Sequence, residues 1–173
     1  MSQAGDKPEG RKGGKRRQVA ALPWRGEGED LRVLLVSSRE TRRWVIPKGW
    51  PMTGLSPPDA AAQEAAEEAG IAGEAESSPI GSYHYLKKLK DGQTVPAQVI
   101  VFPFRVSGRS DRWKEEGQRD HRWFRASRAA TLVAEPALRR LIREFGRARA
   151  PPLFRPPPAL ARWIDRGLLL LRG

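Results

Sequence analysis

The order of segments along this chain predicts a mixed β-sheet flanked by helices, an α+β or α/β fold rather than a helical bundle. Three observations carry that expectation. Short runs rich in Val, Leu and Ile recur between turn residues. A segment dense in helix formers lies between two groups of such runs, and an amphipathic segment follows the last of them.

Taken in order, Gln18 to Leu22 reads as a first strand, Gly26 to Asp30 as a turn, and Leu31 to Val36 as a second strand. Trp44, Val45 and Ile46 form a third extended piece, stopped by Pro47. Ser56-Pro57-Pro58-Asp59 opens a helix, with Ser at the cap and Pro where a missing N–H costs nothing. Ala60 to Ala69 continues it and Gly70 ends it. Strand signals return at Ile80–Leu86 and Gln98–Val106, joined around the turn dipeptide Asp91-Gly92. Trp123-Phe124 marks another short strand. From Ala137 to Phe145, apolar residues at 138, 141, 142 and 145 have the spacing of an amphipathic helix. Residues 1–14 read as a tail, and 148–173 as a Pro/Arg-rich extension ending in a short helix, so the domain is expected over 15–147.

At 173 residues the chain suits one domain. It has no cysteine, which excludes disulfide scaffolds, thiolate metal sites and cysteine nucleophiles. Its longest aliphatic run, Leu168 to Leu171, is far short of the ~20 residues of a membrane span. The opening residues lack the apolar core of a secretory signal, so a cytoplasmic, soluble protein is expected. The net charge of +12 sits mostly at the ends, +4 within residues 1–17 and +5 within 147–173. Such a field favours polyanionic partners, though Arg-rich ends also serve solubility alone.

The informative stretch is QEAAEEAGI, residues 63–71. Glu64, Glu67 and Glu68 stand at i, i+3 and i+4, so a helix gathers their carboxylates on one side. Glu64 and Glu68 repel by roughly 0.2–0.5 kcal/mol. The group also lies at the negative end of the helix dipole, unfavourable by about 0.3–1 kcal/mol per charge. A bound cation is the simplest compensation, and three hard oxygen ligands suit Mg²⁺ or Mn²⁺. Read alone, EAAEE also fits a solvated acidic face.

The spacing upstream adds to this, since Gly49 precedes Gln63 by fourteen residues. Here the sequence resembles the Nudix hydrolases, whose box reads G-x5-E-x7-R-E-U-x-E-E-x-G-U with U bulky and aliphatic. Gly49, Glu64, Glu67, Glu68, Gly70 and Ile71 fall on its fixed positions. Leu55, Gln63 and Ala65 depart from it, standing where the first Glu, the Arg and an aliphatic residue belong. The run LRVLLVSSRETRRWVIPKGWPM, with Ser37, Ser38, Arg39, Arg43, Trp44, Pro47 and Gly49, is similar to the diphosphoinositol polyphosphate phosphohydrolase-like group. So are the Lys15-Arg16-Arg17 cluster and the closing segment Trp113 to Phe124.

The resemblance implies a Nudix-type α/β/α sandwich and Mg²⁺-dependent (or Mn²⁺-dependent) hydrolysis of a phosphoanhydride bond. It implies metal held by Glu64, Glu68 and the Gly49 carbonyl, with Glu67 accepting a proton from the attacking water or ligating a second metal. Arg17, Ser37, Ser38, Arg39, Arg43 and Lys48 become candidates to grip phosphates, and Glu115 or Glu116 a candidate further ligand or base. The implied substrates are diphosphoinositol polyphosphates or dinucleoside polyphosphates. ADP-ribose, nucleotide sugars and RNA 5′-ends are alternatives, with nucleic acid not favoured. A non-catalytic polyanion-binding module on the same scaffold is the alternative of another class. His84 is expected packed in the sheet and His121 at its edge, neither catalytic. Trp44 and Trp123 are expected in the core, and Trp24, Trp50 and Trp113 in turns.

Overall fold

The computed structural model describes residues 16–89 and 91–150. Lys15, the 1–14 tail and the expected helix at 159–171 lie outside them. The strands are β1 (Arg16–Arg25), β2 (Arg32–Ser37), β3 (Trp44–Val45), β4 (Lys48–Gly49), β5 (Ile71–Ala75), β6 (Gly81–Lys88), β7 (Thr94–Arg109) and β8 (His121–Arg125). The helices are α1 (Pro57–Ala69), α2 (Ala126–Leu132) and α3 (Pro136–Ala148).

All eight strands join one mixed sheet. Its centre is the parallel pair β1 and β7, running in register from Arg16 opposite Ala97 to Trp24 opposite Arg105. The far edge of β7 is shared by the antiparallel strands β6 and β5. The far edge of β1 is shared by β4 and β2, and β2 carries β3 and β8.

Strand alternation sorts the apolar residues onto two faces. Ala20, Leu22, Val33, Leu35, Val99 and Val101 point to one cluster, which α2 and α3 cover through Ala129, Ala130, Leu138, Leu141, Ile142 and Phe145. Val19, Ala21, Leu34, Val36, Phe102 and Phe104 point to the other, which α1 covers. The result is an α/β/α sandwich. Among the described residues no helix is long and apolar enough to cross a membrane.

Helix α1 differs from its counterpart across the sheet in what it buries. Its inward face is made of Ala60, Ala61, Ala65 and Ala69 together with Glu64 and Glu68. The Ser56 hydroxyl caps its start by accepting from the Asp59 N–H, and Gly70 ends it in the left-handed conformation at φ 63°. The carbonyls at its end are met by the loop between β7 and β8: Ser110 N–H donates to Gly70 and Glu115 N–H to Glu67, at 2.8 and 3.1 Å. These bonds satisfy groups a helix end leaves open.

Several expectations needed correction. The His84 side chain is exposed rather than packed, because Tyr83, beside it on β6, takes the inward position. Trp24 is not in a turn; it lies in β1 and packs against the α3 cluster, edge-on to Phe145. Trp44 and Trp123 are half-buried, each against a different cluster. Helix α2 and strands β4 and β5 were not expected. His121 sits on β8 against Trp113, whose ring lies edge-on to it at 5.9 Å.

Gly70 allows a close approach. A Cβ there would meet the Trp113 ring at 2.4 Å, on a backbone that side chains rarely adopt. Gly54 has a similar φ of 82° but open space around it. Gly70→Ala is therefore expected to cost about 1–3 kcal/mol and Gly54→Ala only about 1. Urea unfolding of the two variants measures the difference, and equal costs would show that the Trp113 contact is slack.

Candidate active site

Glu64 and Glu68 are buried to 4% and 6% exposure on the sheet-facing side of α1. Their place is made by Gly49 of β4, which pairs with Val19 of the central strand. A Cβ on Gly49 would fall 1.9 Å from Glu64 Oε1, so the carboxylate rests where a side chain would otherwise stand. Glu67, on the same side of α1, is half-buried. Gln63 Nε2 donates to its Oε1 at 3.1 Å and Lys114 Nζ to its Oε2 at 2.7 Å.

The loop between β7 and β8 brings the counter-charges. Arg119, only 8% exposed, donates to Glu68 Oε1 at 2.7 Å, to Glu115 Oε2 at 2.6 Å and to the Ser37 carbonyl at 3.0 Å. Glu115 Oε1 in turn faces Arg39 at 3.4 Å. Trp113 fixes this loop against Gly70, with the Arg109 guanidinium over its ring at 5.2 Å. Cations at the end of α1 offset the helix dipole that made the acidic cluster unfavourable.

Burial pushes the Glu68 carboxyl up to about 7, against the pull of Arg119 and Lys48. Burial likewise lowers the ammonium groups of Lys48 and Lys87, with Glu68 opposing in both cases. Lys48 Nζ lies 5.5 Å from the Tyr85 ring centre and Lys87 Nζ 5.8 Å from that of Trp50. Lys48, Lys87 and Arg119 thus place positive charge near the buried carboxylates.

The candidate residues divide accordingly. Gly49, Glu64, Glu67, Glu68 and Glu115 are brought together, with Lys48 and Arg39 close by. Glu116 is exposed in the turn beyond them. Ser37 is buried, and its hydroxyl accepts from Asp120 N–H at 2.9 Å, so it holds two loops together rather than facing a ligand. The Ser38 hydroxyl bonds Thr41 at 2.6 Å, and Arg43 Nε donates to the same Thr41 oxygen, so both are tied into their own loop. Arg17 is exposed near the start of β1. Sequence reasoning missed Lys87, Lys114 and Arg119. Only the alternation along β6, which sets Tyr85 and Lys87 on one side, could have pointed to the first.

The group does not yet form a cage. Among the described residues, no three His, Asp or Glu side chains are gathered closely enough to hold a metal ion as they stand. Lys114 pairs with Glu67, and Arg119 pairs with both Glu68 and Glu115. Even so, Glu68 Oε2 is buried without a hydrogen-bond partner. A bare buried carboxylate oxygen is costly, and beside Glu64 it offers the hard oxygen donors that suit Mg²⁺ or Mn²⁺. The donor set fits such an ion.

The NUDIX domain family model matches residues 14–145. Nudix hydrolase 21, chloroplastic, of Arabidopsis thaliana is 30% identical over 140 residues, covering 76% of this chain and 67% of the plant protein. Diphosphoinositol polyphosphate phosphohydrolase 3-alpha of Mus musculus is 31% identical over 122 residues, covering 69% of this chain and 70% of the mouse protein. Across the curated relatives compared, the match spans 58% to 70% of their own length. The Ap4A hydrolase structure from C. elegans aligns with a TM-score of 0.59 at 17% identity, over 79% of this chain and 99% of its own. That likeness shows the fold.

The Glu68 shift has a measurable consequence in chelator. An ordinary carboxyl near 4.5 rises to about 7 on folding, so the folded state holds this proton more tightly. The stability it contributes is full below pH 4.5 and lost as pH rises through about 7. At about 1.4 kcal/mol per pKa unit, the loss between pH 6 and 8 is roughly 1–2 kcal/mol. Thermal melts in EDTA should show it, and Glu68→Gln should flatten it. An unchanged pH profile in the variant would remove Glu68 as its source.

Proposed function

Because the chain belongs to the NUDIX domain family, we propose that it is a Mg²⁺-dependent hydrolase of phosphoanhydride bonds in a polyphosphorylated small molecule. The observation that carries this reading is the bare oxygen of Glu68, buried beside Glu64 and Gly49. Glu64, Glu68 and the Gly49 carbonyl would hold the ion. When bound, it would supply charge neutralisation at the phosphate under attack and acidify a water.

The protein's own part follows from its side chains. Glu67 accepts the proton of the attacking water; its two oxygens are oriented by Gln63 and Lys114. Lys48, Lys87 and Arg39 bind the remaining phosphates, Arg39 with a fork suited to two oxygens. Arg17 and Arg43 are exposed and add to the positive charge of the surface. The spread of cations around one acidic centre supports a compact substrate carrying several phosphates. The names of the mouse and nematode proteins support the diphosphoinositol polyphosphate and dinucleoside polyphosphate classes. A cytoplasmic location is part of this proposal; the plant relative is named chloroplastic.

One observation favours the second reading, a polyanion-binding module without catalysis: Arg119 and Lys114 already neutralise part of the acidic group. The assay that decides between them follows phosphate or nucleotide release from a panel of both substrate classes, in Mg²⁺ and in EDTA. Mg²⁺-dependent turnover is expected. Glu67→Gln is expected to lower kcat by about 10²–10⁴-fold, the range for a lost general base, while leaving the melting temperature within a few degrees. No Mg²⁺-dependent turnover on any member of the panel would leave the binding module as the reading.

A further inference from the structure

We infer that Arg119 is a positioning residue, which sets the Glu68 carboxylate for a divalent ion and ties it to the phosphate-facing Arg39. This rests on the metal-dependent reading above and extends it to a residue outside the acidic cluster.

Arg119 reaches three acceptors that belong to three parts of the fold. It meets Glu68 on α1, Glu115 in its own loop, and the carbonyl of Ser37 at the end of β2. Both Arg119 and Glu68 have side chains only 8% exposed, so their contact is hardly screened by water. A planar guanidinium with donors in a fixed fork can make these bonds together; an ammonium on a flexible stem cannot hold the same arrangement.

The consequence lies in which Glu68 oxygen is engaged. Arg119 holds Oε1, and Oε2 is left buried and without a hydrogen-bond partner. The carboxylate is therefore fixed by one oxygen and presents the other. Partners that orient a ligand in this way tune its affinity for a metal. The same guanidinium continues outward, since Glu115 bonds Arg119 through Oε2 and faces Arg39 through Oε1. The chain Arg39–Glu115–Arg119–Glu68 joins an exposed cation to a buried carboxylate through ion pairs.

Orientation and simple charge make opposite predictions. Removing a positive charge beside Glu68 would, by Coulomb attraction alone, tighten binding of a divalent cation. If Arg119 positions Glu68, its removal weakens binding by about 10–100-fold, the usual cost of losing such a partner.

The test titrates Mn²⁺ alone into the full chain, followed by electron paramagnetic resonance, for the wild type, Arg119→Met and Arg119→Lys. Circular dichroism at the same temperature reports the folded fraction. Affinity is expected to fall in the order wild type, Arg119→Lys, Arg119→Met. A folded Arg119→Met that binds Mn²⁺ as tightly as the wild type, or more tightly, overturns the inference. If Arg119→Met does not fold, Arg119→Lys decides, and wild-type affinity in that variant overturns it. A wild type that binds no Mn²⁺ overturns the metal-dependent reading itself, and this inference with it.

Discussion

The fold around the candidate site depends on one constraint: two carboxylates, Glu64 and Glu68, are buried on the side of α1 that faces the sheet. Removing an ionised carboxylate from water costs several kcal/mol even after relaxation, unless partners replace the water. The neighbourhood is arranged to reduce that cost. Gly49 leaves room where a side chain would stand. Gly70 lets Trp113 close on the end of the helix, which brings Lys114, Glu115 and Arg119 into reach. The other inward residues of α1 are alanines, so hydrophobic anchoring on this face comes mainly from the sheet residues Phe102, Phe104, Leu34 and Val36.

The opposite layer shows what the same sheet does without that demand. Helix α3 presents Leu138, Leu141, Ile142 and Phe145 to a cluster of strand residues, and its fully buried residues are all apolar. Large side chains on one face and small ones with carboxylates on the other make one layer the anchor and the other the workplace. The acidic group and the aliphatic anchor thus lie on opposite sides of β1 and β7.

That division explains what could be read from the sequence. The spacing at 138, 141, 142 and 145 carried its information locally, and all four residues are buried. The same is true of Ser56 and Gly70, whose capping roles depend on their immediate neighbours. Helix α2 was hidden because it follows β8 without a turn and has no capping side chain. Strand β5, Ile-Ala-Gly-Glu-Ala, has little β-propensity of its own and is held by pairing with β7. His84 misled because a strand pattern gives alternation without saying which set faces the core. In the site, the acidic cluster was legible because its members share one helix. Arg119 was not, since it stands 51 residues from Glu68 in a loop that carries charges of both signs.

The departures from the box pattern now have a physical context. Leu55, where the first Glu of the pattern belongs, is 44% exposed at the entrance to α1 and contributes nothing to the acidic group. Gln63, where the pattern has Arg, still bonds Glu67, but as a neutral donor. The positive charge at Glu67 comes instead from Lys114, on the other carboxylate oxygen. One oxygen is thus held from within α1 and the other from the loop after β7. Orientation and charge compensation, which one Arg could supply together, are divided between a glutamine and a lysine. Because that lysine is mostly exposed, water can screen its pull on Glu67 far more than the pull of the buried Arg119 on Glu68. Glu68 is thereby the more rigidly held of the two.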